Sequence, residues 1–214
     1  MTRSLASPGF SRRRPVAQRR TQALVCGLTL LFGCSGRGED AALQALDEVR
    51  RAYEQRQFQA ALEAINTATE AIANASAQQL VDALPEPPDT WAADPATSHT
   101  APGTGSARMV STRRGYRSPS GGRVTVAIEA NSPMLQSFAM VFTNPMMLQA
   151  SGAQLETVQG QAFALNYRGA EKKGEAKSIV AERYLVVITG ENVSREELLA
   201  FARALKRDEL EAKR

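Results

Sequence analysis

The sequence predicts an α+β fold: an N-terminal helical hairpin, then an antiparallel sheet of about six strands with two or three helices packed on it. Three observations carry this. Residues 39–84 repeat apolar side chains near helical spacing with no Pro or Gly. Beyond residue 107, short runs alternate apolar and polar side chains, as half-buried strands do. Ser194-Arg195-Glu196-Glu197 is a capping box, with a hydroxyl to accept an N–H and a carboxylate three residues on to reach back.

In chain order, the hairpin occupies 34–84. Leu43, Leu46, Val49 and Tyr53 mark the apolar face of its first helix, and Phe58, Leu62, Ile65 and Ile72 that of its second, with the turn at Gln55-Arg56-Gln57. Abundant Ala favours helix throughout. The stretch "AYEQRQFQAALEAI" resembles one tetratricopeptide-type helix pair, but a solenoid needs at least about three repeats, and the expectation is a packed hairpin or stalk. Residues 85–106 change to Pro, Thr, Ser, Gly and Asp, a linker composition with too little apolar surface to fold alone. Trp91 within it is expected to tuck against the following domain; His99, the single histidine, reads as solvated.

The α+β domain is expected over 107–205. "ARMVSTRRGY" and the alternating Val124, Val126 and Ile128 flank the turn "SPSGG". Phe163, Leu165 and Tyr167 mark another strand after a turn at Gln159-Gly160, "RGAEKKGE" a polar loop, and "KSIVA" with "YLVVIT" a hairpin. Tyr184 to Ile188 is apolar throughout, the pattern of a central strand covered on both faces. After the capping box, Leu198, Phe201, Ala202 and Leu205 line a helix face that closes over the sheet, and 206–214 reads as a charged tail.

Residues 130–155 contain no charged residue. Pro133 opens a helix, Met134, Phe138, Val141 and Phe142 form its core face, and Asn144-Pro145 breaks it before a second short helix at Met146-Met147-Leu148. The methionines admit three roles: filling irregular gaps in the core, forming an adaptable surface for an apolar ligand or partner, or binding Cu(I) through thioethers. Met140 points away from the core face, and Met140, Met146 and Met147 are the candidate contact residues.

The front of the chain predicts export. Six arginines and no acidic residue lie within 1–33, and Ala23 to Phe32 is an apolar run of ten residues, the pattern of a secretory signal and too short for a span of roughly 20. Leu31-Phe32-Gly33-Cys34 resembles a bacterial lipobox, departing from it at Phe32, with Cys34 as the lipid attachment site; each buried CH₂ of an attached chain contributes about 0.8 kcal/mol. Ser35 after the cysteine points to the outer membrane. Ser11-Arg12-Arg13 resembles a twin-arginine signal, from which Pro15 departs.

Removal of this leader leaves 20 Lys and Arg against 22 Asp and Glu, so the basic pI belongs to the leader and nucleic acid is not an expected partner. With Cys26 discarded and Cys34 acylated, no thiol remains for a disulfide, zinc or catalysis. The expected address is the bacterial cell envelope, lipid-anchored, on the outer membrane facing the periplasm.

Enzyme signatures are sparse. His99 sits in a tract unable to hold a base, and Gly103-Thr104-Gly105-Ser106 lacks the lysine of a phosphate loop. Arg113, Arg114 and Arg117 form a small basic patch. "GYRSPSGGRVTVAIEANSPMLQSFAMVFTNPMM", with "LPEPPDTW" upstream and "ERYLVVITGENVSREELLAFARAL" downstream, resembles a family of exported proteobacterial proteins over about residues 80–205, a resemblance that brings no catalytic residues. The ending also resembles small sensor-like domains of envelope lipoproteins. The expectation is therefore a non-enzymatic, lipid-anchored binding module with no cofactor and no metal, touching the membrane through its lipid and an envelope protein or apolar ligand through its methionines. The alternatives are a copper-handling module or a carboxylate-based hydrolase.

Overall fold

Alanine spacing decides how the N-terminal hairpin closes. In the computed structural model, which describes residues 37–102 and 108–212 (side chains from 41), α1 (Arg37–Glu54) and α2 (Phe58–Asp82) pack antiparallel. The expected signal segment, Cys34 and Gly103–Ser106 lie outside the described residues. Ala42, Ala45 and Ala52 of α1 are buried with Ala61, Ala64 and Ala68 of α2, apart from the main core. This corrects the expected apolar face. Small side chains let two helix backbones approach closely, so the alanines take the seam and the larger residues are turned outward.

The second half of α2 joins the domain. Ala73, Ala77 and Leu80 enter the main core, and the buried Thr112 donates its hydroxyl to Ala77 O at 3.2 Å. The sheet comprises β1 (Ala92–Ala93), β2 (Thr97–Pro102), β3 (Arg108–Arg117), β4 (Arg123–Ala130), β5 (Gln154–Val158), β6 (Gln161–Arg168), β7 (Lys173–Val180) and β8 (Tyr184–Glu191). All pairings are antiparallel, in the order β1-β3-β4-β8-β7-β6-β5, with β2 also on β3. Residues 92–102, expected to be linker, are therefore an interrupted edge strand. Prolines are tolerated on an edge, and the backbone of β3 supplies hydrogen bonds that the segment's own side chains could not replace.

Alternation makes the sheet two-faced. Val124, Val126 and Ile128 of β4 and Tyr184, Val186 and Ile188 of β8 are buried on one face. There α5 (Arg195–Ala204) closes through Leu198, Phe201 and Ala202. The capping box forms: Glu197 N–H donates to Ser194 Oγ at 3.1 Å and Ser194 N–H to Glu197 Oε2 at 2.7 Å. Gly174 and Gly190, paired across β7 and β8, make room for α5; a Cβ at either would lie 2.9 Å from a Leu198 methyl. Phe201 is the centre of this layer, its ring 4.8 Å from Tyr116 and 5.1 Å from Trp91. Tyr116 donates its hydroxyl to Pro85 O at 2.7 Å.

Residues 206–214 were expected to be a solvated tail, yet Arg207–Ala212 forms α6 and its Leu210 is fully buried. One leucine among charges is too short a pattern to read as a packing helix. Between β4 and β5 the chain crosses over as α3 (Met134–Thr143) and α4 (Pro145–Ala150). Asn166, on the sheet face opposite α5, donates its amide to Ser151 O at 3.2 Å beside the end of α4, so the crossover lies on that second face. There Ala164 and Leu185 are buried.

Leu210→Ala should lower unfolding stability by about 2–5 kcal/mol in denaturant titration, where loss from a free tail would cost nothing measurable. Burial pushes the Tyr116 phenol up from 10.0 to about 12, against a smaller lowering effect of Arg114. Ultraviolet titration should then show one late-ionising tyrosine that Tyr116→Phe removes. Its contribution to stability, complete below pH 10, should vanish as pH rises to about 12.

Candidate functional site

Seven of the ten residues of α3 are apolar, yet none is buried. Met134, expected in the core, is exposed, and Phe138, Val141 and Phe142 are only half-buried, with the two phenyl rings 5.7 Å apart. The crossover therefore rests on the sheet without a deep seat. Met140, Met146 and Met147 are 65, 81 and 43 % exposed. Asn144 ends α3 and caps α4, its Oδ1 accepting from Met146 N at 3.1 Å and Met147 N at 3.4 Å, with Pro145 as the first helical residue. Leu148 is the buried foot of α4. The structure thus brings the three candidate methionines onto one uncharged, outward-facing segment.

A second apolar surface was hidden in the same periodicity that predicted the hairpin. Leu43, Leu46 and Tyr53 of α1, with Phe58, Leu62, Ile65 and Ile72 of α2, are 44–67 % exposed. The Tyr53 and Phe58 rings meet edge-on at 5.9 Å across the hairpin turn, joining the two stripes. The signal was present, but its assignment to the interior was wrong.

The uncovered end of the second sheet face is polar. Register places Arg117, Arg123, Glu191, Lys173 and Arg168 in one row across β3, β4, β8, β7 and β6. Arg117 pairs with Asp94, Lys173 with Glu191, Arg168 with Glu171 and, in the same neighbourhood, Lys177 with Glu175. An open cleft of about 440 Å³ lies over Lys173, Glu175, Thr189 and Glu191. Both of its carboxylates are engaged by lysines, an arrangement that neutralises a wet sheet face. The expected patch of Arg113, Arg114 and Arg117 is divided by strand alternation: Arg113 and Arg117 border a groove of about 330 Å³ with Arg123, while Arg114 faces the side of Tyr116. His99 is exposed on β2 opposite Ser111.

On the α5 side, Lys206 donates to Glu86 at 2.9 Å. That hydrogen bond, then the lysine's charge, holds the Glu86 carboxyl below its ordinary value. Among the described residues no group of three or more His, Cys, Asp or Glu is placed to hold a metal ion, and no helix is long and apolar enough to cross a membrane.

No family model, curated protein or solved structure matches this chain.

Asn144→Ala should loosen α4 by about 0.5–2 kcal/mol, the usual cost of a lost N-cap. Hydrogen exchange should report it as faster exchange at Met146 and Met147, with the strands unaffected.

Proposed function

We propose that this chain is a lipid-anchored protein of the bacterial envelope, held through Cys34, that works by non-covalent contact between α3–α4 and an apolar helical segment of another envelope protein. The supporting observation is the crossover itself: a mostly apolar helix with no buried residue, continued by outward methionines. Water against such a surface is costly, and covering it recovers about 25 cal/mol per Å² of apolar area. The unbranched, polarisable methionine side chains adapt to an irregular partner.

The absence of charge from 130–155 selects an apolar partner over a polyanion or an acidic peptide. Export and acylation rest on the arginine-rich leader, its short apolar run and the Gly33-Cys34 junction. The resemblance to exported proteobacterial proteins points to the same address.

Intact mass of the protein from its native envelope should show a chain beginning at Cys34 and carrying acyl mass; a retained leader or an unmodified cysteine defeats the anchor. A photo-activated cross-linker at Met146 should capture an apolar helical peptide, sequenced by mass spectrometry, whereas one at Glu182 should not. Met140→Glu, Met146→Glu and Met147→Glu together should abolish the capture while leaving the near-ultraviolet circular dichroism unchanged. Unfolding by that triple change would make the methionines packing residues and overturn the proposal.

A further inference from the structure

The hairpin is assembled with its small side chains inside and its large ones outside. Its seam buries alanines, which remove little apolar area from water, so α1 gains little from α2 alone. The seven large side chains of the outer stripe lie close to single helix faces: Phe58, Leu62, Ile65 and Ile72 follow i, i+4, i+7, i+14. At about 100° per residue, Glu63 and Glu70 fall roughly 130° away from that stripe. Together the seven expose on the order of 700 Å² (44–67 % of each residue). That exceeds the largest apolar patch of an ordinary monomer and approaches the roughly 800 Å² per partner of a stable interface.

Charge distinguishes the possible occupants. The two helices carry eight acidic residues against three basic ones, and α2 carries no basic residue at all. Helices that lie on a bilayer are rich in Lys and Arg, and the lipid surface they meet is anionic. This hairpin is built the other way. A second hairpin of the same sequence supplies an uncharged stripe of the same length and chemistry, and two antiparallel pairs then make a four-helix layer with Leu, Ile, Phe and Tyr at its centre.

We infer that α1 and α2 form the self-association surface of this protein, an isologous contact in which the stripe of one copy covers the stripe of a second. The contact is separate from α3–α4, so either surface can fail without the other.

A photo-activated cross-linker at Leu62 in the full chain, in the cells that export it, tests this directly. The expected product is a covalent homodimer identified by peptide mass, with no such product from Glu63. Leu43→Glu with Leu46→Glu in the cross-linking chain should weaken the homodimer band on the order of tenfold or more. Leu43→Gln with Leu46→Gln should also weaken it without altering the helical circular dichroism, which separates loss of contact from loss of fold. Absence of a homodimer overturns the inference, as does a band that survives both double substitutions. An adduct to phospholipid in place of a second chain gives the stripe to the bilayer and overturns it as well.

Discussion

Phe201 holds together three parts of the chain that are far apart in sequence. Its ring, carried by α5, stands between Tyr116 on β3 and Trp91 at the end of the proline-rich segment, and Trp91 packs on the main core to which the other two belong. Aromatic side chains bury large areas in fixed geometry, so one contact sets the position of α5 and the path of residues 85–91. The hydroxyl of Tyr116 adds the bond to Pro85 O that satisfies a buried carbonyl. Edge strands β1 and β2 follow from this path, since β1 begins directly after Trp91 and β2 at Thr97, with three residues between the end of β1 and the start of β2.

The same constraint assigns the two sheet faces their different characters. Once α5, α6 and the second half of α2 occupy one face, the connection from β4 to β5 crosses on the other. It covers Ala164 and Leu185 and leaves the end bearing Arg117, Arg123 and Lys173 open. The open end answers its exposure with ion pairs. Such pairs on a wet surface contribute little to stability, and their effect is to keep a row of mostly positive strand residues from repelling one another. The covered end meets a crossover that rests lightly on it and shows its methionines to solvent.

Two exposed apolar surfaces among the described residues are an unusual combination for a chain that remains alone. They differ in kind. The hairpin stripe is made of Leu, Ile, Tyr and Phe on long, regular helices, which favours a repeated, shape-matched contact. The crossover is made of methionines on short helices set by Asn144, which favours an adaptable one. A tether at Cys34 would hold copies in one plane and raise their effective concentration for each other, making a modest intrinsic affinity sufficient.

Periodicity together with turn, proline and capping residues determined the α+β class, the hairpin, the β3–β4 and β7–β8 pairings, the break at Asn144-Pro145 and the capped α5, because each is a local pattern that the backbone must obey. What only the tertiary structure decided was which apolar pattern would be covered. The stripe from Leu43 to Ile72 and the face from Met134 to Phe142 both read as core, yet small alanines won the hairpin seam and a shallow seat on the sheet left α3 without a buried residue. Conversely, residues 92–102 and Leu210 carried almost no local signal and were recruited by an open strand edge and a gap in the core. Hydrophobic spacing tells a helix which side is apolar; only the space left by its neighbours decides whether that side is buried.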